Sequence, residues 1–85
     1  MDEPEDIRRK RLLYQASRRG FKEADLVIGG FAAREIASMS ARDLDEFERL
    51  LAHPDQDLYA WALGEAAPDP SVAGCVLDRL KAFAR

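Results

Sequence analysis

The fold class is decided by residues 19–31, which read RGFKEADLVIGGF. Gly20 is a typical helix stop, and the carboxylates of Glu23 and Asp25 then fall where the positive end of a new helix dipole would stabilise them. The apolar residues that follow recur at i, i+3, i+4 and i+7, which is the spacing of one helix face. These residues are Ala24, Val27, Ile28 and Phe31. We therefore predict an amphipathic helix over residues 22–37.

Four further helices are predicted from start and stop signals on either side of this stretch. Serine and aspartate accept hydrogen bonds from the free N–H groups of a first helical turn, proline tolerates its first position, and glycine ends helices. The signals are Pro4 and Gly20 around a first helix over residues 6–18, Ser40 and Pro54 around the third, Asp55 and Gly64 around the fourth, and Asp69-Pro70 at the start of the fifth. Ser40 with Asp43 is also close to a capping box.

The predicted architecture is an all-α, compact antiparallel bundle of about five short helices, in a single domain over residues 1–85. No stretch alternates apolar and polar residues as a half-buried strand would. Short connections favour antiparallel neighbours. We expect residues 1–5 to form a flexible acidic tail. The pair Gly29-Gly30 should either kink the second helix or let a neighbouring helix pack closely.

The composition offers little for catalysis or metal binding. With one cysteine and one histidine, the chain cannot form an internal disulfide and has no Cys/His cluster for a metal. No nucleophile motif stands beside His53. Cys75 falls in the apolar register of the fifth helix, so we expect a buried, inert thiol. We predict a protein that is not an enzyme and that binds no metal or cofactor stably.

The beginning of the chain predicts its compartment. Met1–Asp6 is acidic, unlike a signal peptide or an arginine-rich transit peptide, and no apolar run approaches the ~20 residues of a membrane span. We therefore predict a cytoplasmic monomer without membrane insertion.

Charge is distributed unevenly along the chain although the net charge is only −3. Residues 7–22 hold seven bases and no acid, whereas residues 23–85 hold twelve acids and six bases. A positive face on the first helix could steer an acidic partner or contact phosphate. The alternative is a solvated helix face that only aids solubility.

The segment from Arg19 to Asp25 is the strongest candidate for a partner-binding site. Arginine presents a planar fork of donors, and glycine leaves room for another backbone to approach. Two carboxylates then follow, at Glu23 and Asp25. Tyr59 is a candidate aromatic contact, because aromatic residues are enriched in interface hot spots. The alternative for this segment is simply a glycine helix stop followed by an acidic helix start.

Two motifs together resemble a known family. Arg18–Leu26 resembles the Arg-Gly-x-x-Glu region of the small flavinylation factors of succinate dehydrogenase, which are called assembly factor 2 in mitochondria. Asp55–Trp61, which reads DQDLYAW, is similar to the Asp-x-Asp-Leu-x-x-Trp segment of the same family. The departures are Ala24, where the family often has a larger apolar residue, and Pro54. Neither touches the Arg, Gly or Glu positions.

The resemblance implies a five-helix bundle that binds the immature flavoprotein subunit of succinate dehydrogenase and promotes covalent FAD attachment to a histidine of that partner. The flavoprotein of fumarate reductase is a second candidate client. Carried onto this chain, the functional positions are Arg19, Gly20 and Glu23, with Arg18 and Asp25 as neighbours. Two alternatives stay open: an antitoxin-like or other protein-interaction module, and a nucleic-acid-binding helical protein. The second is disfavoured by a sequence pI near 5.1.

Overall fold

The computed structural model describes residues 3–84 and contains five helices, with no strand in that range. They are α1 (Glu5–Ala16), α2 (residues 22–38), α3 (Ala41–Leu51), α4 (Asp55–Leu63) and α5 (Cys75–Ala84), and a short 3₁₀ turn, Pro70–Val72, precedes α5. The predicted all-α bundle is confirmed. Among these described helices, none is both long enough and apolar enough to cross a membrane.

Helix α2 is continuous but changes its winding along its length. It consists of an α-helical turn (Lys22–Ala24), a π-helical turn (Asp25–Gly29), an α-helical part (Gly30–Glu35) and a 3₁₀ end (Ile36–Ser38). The predicted apolar face is confirmed, because Ala24, Ile28 and Phe31 are fully buried and Val27 packs against them. The π turn widens α2 close to the connection from α1. Such π-helical turns are often found near functional sites.

The glycine pair in α2 permits close packing and does not kink the helix. Gly29 and Gly30 keep helical angles, with φ −65° and −63° and ψ −41° at both. A Cβ atom at Gly29 would lie 2.9 Å from the backbone Cα of Ser17, just beyond the end of α1. Any larger residue there would push the two helices apart.

Aromatic rings form the centre of the core. The ring of Phe31 meets those of Phe47 and Phe83 edge to face, at centroid distances of 5.7 and 6.0 Å. Around them lie fully buried aliphatic side chains from α1, α2, α3, α4 and α5, among them Leu12, Ile28, Leu44, Leu58 and Leu80. Trp61 also belongs to the core, and the centroid of its ring lies 5.1 Å from that of His53.

The start of α5 differs from the prediction. Asp69 does cap a first turn, by accepting a hydrogen bond from the N–H of Ser71, but that turn is the isolated 3₁₀ turn. Ala73 is then extended, and α5 begins only at Cys75. The carboxylate of Glu46 accepts a hydrogen bond from Val76 N–H in the first turn of α5.

The prediction of a buried Cys75 thiol is wrong, because this side chain is exposed. The buried residues of α5 are Val76, Leu77 and Leu80. Cys75 falls on the opposite face of the helix, with the exposed residues Asp78 and Ala82 near it in register.

The arginines of α1 are engaged with carboxylates. Arg8 pairs with Asp45 at 2.7 Å and with Glu48 at 2.9 Å, while Arg11 pairs with Glu3 at 2.8 Å and with Glu48 at 3.3 Å. These contacts join α1 to α3. Residue 3 is therefore tied to α1, so this part of the expected flexible tail has a defined partner; residues 1 and 2 lie outside the described range.

Arg9 uses its guanidinium inside the fold as well. It donates to the carbonyl oxygens of Ile36 at 3.2 Å and Met39 at 2.6 Å, where α2 ends. Unpaired carbonyls at a helix end need such donors. Three of the four bases in residues 8–11 thus hold groups of the same chain, and two of them, Arg8 and Arg11, are paired with carboxylates.

These ion pairs predict a pH-dependent contribution to stability. Arg11 and then Arg8 lower the pKa of the Glu48 carboxyl in the folded protein. Since the folded pKa lies below the unfolded value, the contribution is present at neutral pH and is lost as the pH falls through the folded pKa. We expect Glu48→Gln to lower the free energy of unfolding at neutral pH by less than about 1 kcal/mol, because the Glu48 side chain is 41% exposed and water screens its ion pairs.

Urea unfolding in a series of increasingly acidic buffers measures this difference. The gap between the parent and Glu48→Gln should close in acid, whereas Glu65→Gln, an exposed carboxylate beyond α4, should behave like the parent throughout. A gap that stays constant at every pH would contradict the assignment to an ion pair.

Candidate functional site

The candidate site lies where the α1–α2 connection meets the start of α4. Residues 17–21 run beside residues 52–55, although more than thirty positions separate them in the sequence. An open groove marks this junction, lined by Gly20, Phe21, Pro54, Asp55, Gln56 and Asp57. The two motifs recognised in the sequence therefore meet on one surface.

Arg19 points into the protein. Only 9% of its side chain is exposed. Its Nη1 donates to the carbonyl oxygen of Leu51 at 2.9 Å and its Nη2 to that of His53 at 2.8 Å. Its Nε lies 2.9 Å from Oδ1 of Asp55, in an ion pair whose angle does not suit a hydrogen bond. Arg19 thus closes the C-terminal end of α3 and holds it against α4.

Gly20 occupies a backbone conformation that only glycine adopts easily. Its φ is +121°, in the region that side chains with a Cβ avoid. A Cβ atom there would also stand 2.5 Å from Oδ2 of Asp55. The carboxylate of Asp25 accepts a hydrogen bond from the backbone N–H of Arg19, which closes this turn from the other side. Asp25 therefore acts within the loop.

The exposed candidate residues are Glu23 and Arg18. Glu23 lies in the first turn of α2, directly after the braced loop. Arg18 lies over the ring of Tyr14, with its guanidinium carbon 4.6 Å from the ring centroid. Such a cation–π contact contributes about 0.5–1 kcal/mol at an exposed position.

Tyr59 is half-buried and supports the loop. Its ring packs edge to face against Phe21 at a centroid distance of 5.2 Å. This contact joins α4 to the residue that precedes α2. Among the sequence candidates, Arg19, Gly20, Asp25 and Tyr59 are therefore brought together, while Arg18 and Glu23 present their side chains to solvent.

Two exposed apolar residues near the site were missed by the sequence reasoning. Leu26 is 64% exposed and Tyr14 is 62% exposed. Leu26 follows Glu23 by three positions, so both lie on one side of α2. The signal for Leu26 was present, since it stands outside the i, i+3, i+4 stripe of the same helix. Tyr14 carried a similar signal, since it lies on the face of α1 opposite the buried Leu12 and Ala16.

No group of three or more His, Cys, Asp or Glu side chains that could hold a metal ion occurs in residues 3–84. The ring of His53 packs against that of Trp61. What the junction offers is a rigid turn with an exposed carboxylate and apolar neighbours, which suits recognition of another protein.

Comparison with known proteins identifies relatives of this chain. The family model described as "Flavinator of succinate dehydrogenase" matches residues 10–84. Curated proteins named "Succinate dehydrogenase assembly factor 2, mitochondrial" are similar in sequence. The protein of Debaryomyces hansenii is 46% identical over 57 residues, which is 67% of this chain and 40% of that relative. The protein of Saccharomyces cerevisiae is 44% identical over 61 residues, 72% of this chain and 38% of the relative.

The relatives also correct one prediction. Their names place them in mitochondria, which contradicts the predicted cytoplasmic location. The matched part of this chain spans at most 40% of the length of these relatives.

Both sequence motifs lie within the matched range, and so does the junction at which the fold brings them together. The match extends over all five helices except for the first residues of α1. The chain therefore belongs to the family of flavinators of succinate dehydrogenase.

Proposed function

We propose that this chain is an assembly factor that binds the immature flavoprotein subunit of succinate dehydrogenase and promotes covalent attachment of FAD to that subunit. The observation that carries the proposal is the braced turn at Gly20. Its backbone is held at φ +121° beside Asp55, and the exposed carboxylate of Glu23 follows directly. We refer to Gly20, Glu23 and Leu26 as the docking edge.

The docking edge suits a protein partner for physical reasons. Gly20 is exposed, so its backbone is accessible to a partner, although the space that a side chain would fill there is taken by Asp55. Glu23 can then accept charge-assisted hydrogen bonds from that partner. Leu26 is 64% exposed and adds apolar surface that a partner would bury. The edge therefore combines an accessible backbone, a carboxylate that accepts hydrogen bonds and exposed apolar area.

In this proposal the chain contributes binding and positioning, and the covalent bond forms on the client from the flavin's own reactivity. No catalytic residue and no stably bound cofactor of the chain itself is required. The alternative of nucleic-acid binding is weakened by the internal partners of Arg8, Arg9 and Arg11. No observation favours the antitoxin-like alternative.

A reconstitution tests the proposal. The flavoprotein subunit, prepared without covalent flavin, is incubated with FAD in the presence and absence of the chain, and covalent flavin is read as fluorescence of the subunit in a denaturing gel. We expect the chain to raise the rate of attachment and to form a complex with the subunit in gel filtration. The same assay is repeated with the flavoprotein of fumarate reductase as a second candidate client.

Absence of both a complex and an increase over the factor-free control would overturn the proposal. Equilibrium dialysis of the chain with FAD alone should give no stable binding. Retention of FAD by the chain would replace the positioning role with one of cofactor delivery.

A further inference from the structure

We propose that Arg19 and Asp55 form a positioning pair: Arg19 shapes the docking edge from inside the protein without contacting the client, and Asp55 is the residue through which it acts. This inference rests on the proposed function, and it assigns to Arg19 a role different from direct recognition. Asp55 becomes a positioning residue of the same site.

The contacts of Arg19 leave little of it for a partner. Its guanidinium binds two carbonyl oxygens at the end of α3, those of Leu51 and His53, and its Nε faces Asp55. These groups lie on three sides of one planar cation. With 9% of the side chain exposed, a partner could reach Arg19 only after the junction had opened. Opening would break the contacts of the guanidinium with Asp55 and with the two carbonyl oxygens.

Asp55 transmits this arrangement to the surface. Its Oδ1 lies 2.9 Å from Arg19 Nε, and its Oδ2 stands 2.5 Å from the place where a Cβ of Gly20 would be. One carboxylate thus pairs with the buried cation on one side and borders the docking edge on the other. As the first residue of α4, Asp55 is also stabilised by the positive end of that helix dipole.

Arginine is required here for its shape as well as its charge. The planar fork reaches Leu51, His53 and Asp55 at once. A lysine ammonium is a single point at the end of a flexible stem and cannot satisfy all three groups in this geometry. A direct ionic contact with a client would, in contrast, be kept in part by lysine.

The consequence for function is preorganisation. The free protein already holds the turn at Gly20 in one conformation, so a client does not have to order it on binding. When the pair is broken, ordering the turn weakens the complex, and each side chain that must be fixed contributes to this loss. We expect client affinity to fall about tenfold in Asp55→Asn, as one or two side chains become mobile.

A double-mutant cycle tests the pair on the full chain. Client affinity is measured by calorimetry with the flavoprotein subunit for Arg19→Gln, Asp55→Asn and the double variant. If Arg19 acts through Asp55, the client affinity of the double variant should be about equal to that of the single variant with the lower affinity. The matched cycle uses Asp57→Asn, which changes a carboxylate of the same groove that has no contact with Arg19. Its effect should add to that of Arg19→Gln, whatever its own size.

Two further readouts separate positioning from general loss of stability. Urea unfolding shows whether each variant is folded at the assay temperature, so that affinity is compared among folded proteins only. Arg19→Lys should bind the client as weakly as Arg19→Gln. Backbone amide NMR shifts of free Asp55→Asn should change at Gly20 and Glu23 and stay constant at Phe31.

Several results would overturn the inference. They are parent affinity in folded Asp55→Asn, additive effects of Arg19→Gln and Asp55→Asn, and rescue of client binding by Arg19→Lys. If the parent chain does not bind the client at all, the proposed function fails, and the pair is then judged by the amide shifts of the free chain. Unchanged shifts at Gly20 and Glu23 would reject it. If Asp55→Asn does not fold, Arg19→Lys and Arg19→Gln decide between positioning and direct contact.

Discussion

Replacing Gly20 with valine should abolish the ability of the chain to raise covalent flavin on the client subunit. Valine is β-branched and strongly disfavours φ +121°. Its Cβ would also collide with Oδ2 of Asp55, at 2.5 Å. The strain should cost about 1–3 kcal/mol of stability, and the turn should shift away from its braced position. In-gel flavin fluorescence and client affinity measure the functional loss, with a thermal melt to establish that the variant is folded.

Two controls separate strain from the loss of a docking surface. Gly64→Val also places valine at a positive φ, +75°, but a Cβ atom there has no other atom within 4 Å. It should lose some stability and keep its flavinylation activity. Glu23→Ala removes an exposed carboxylate, so it should cost the fold less than about 1 kcal/mol while weakening client binding by about 2 kcal/mol, as a hot spot does. Asp78→Ala, an exposed acid in the first turn of α5, is its matched control.

If folded Gly20→Val and Glu23→Ala both support flavin attachment as the parent does, the docking edge is in the wrong place. The reconstitution with the parent chain would then be the remaining test of the assembly-factor proposal.

Phe31→Ala should have the largest effect on stability. The ring is fully buried at the contact of α2, α3 and α5, with Phe47 and Phe83 on either side. Losing it leaves a cavity that the surrounding rings cannot fill, at a cost of about 3–5 kcal/mol. A domain whose total stability is about 5–15 kcal/mol would lose much of its margin. Urea unfolding followed by circular dichroism measures the loss.

Phe21→Ala provides the comparison, because this ring is only half-buried and packs against Tyr59 at the edge of the core. It should cost clearly less than Phe31→Ala. Equal losses for the two variants would show that the core is not centred on Phe31.

Caps and stops made by residues close in sequence account for the helix ends that were predicted correctly. The hydroxyl of Ser40 and the carboxylate of Asp43 form the expected capping box, and Gly64 ends α4 in the left-handed conformation. Each signal involves residues a few positions apart, so their geometry follows from the sequence itself. The predicted start of α5 was wrong because a local signal does not show how far a helix continues. Asp69 and Pro70 make a valid local start, but nothing in that dipeptide indicates that the turn stops at Val72.

Some features of the candidate site likewise follow from the sequence, and others depend on the tertiary structure. The sequence by itself determined that a turn at Gly20 precedes an acidic helix start, and that Glu23 lies in that first turn. Only the tertiary structure decided that Arg19 faces inward, since its partners are 32 to 36 residues away. Sequence patterns report which charges are present and their spacing along one helix. Which charges pair depends on distances between helices, and these exist only once the core has packed.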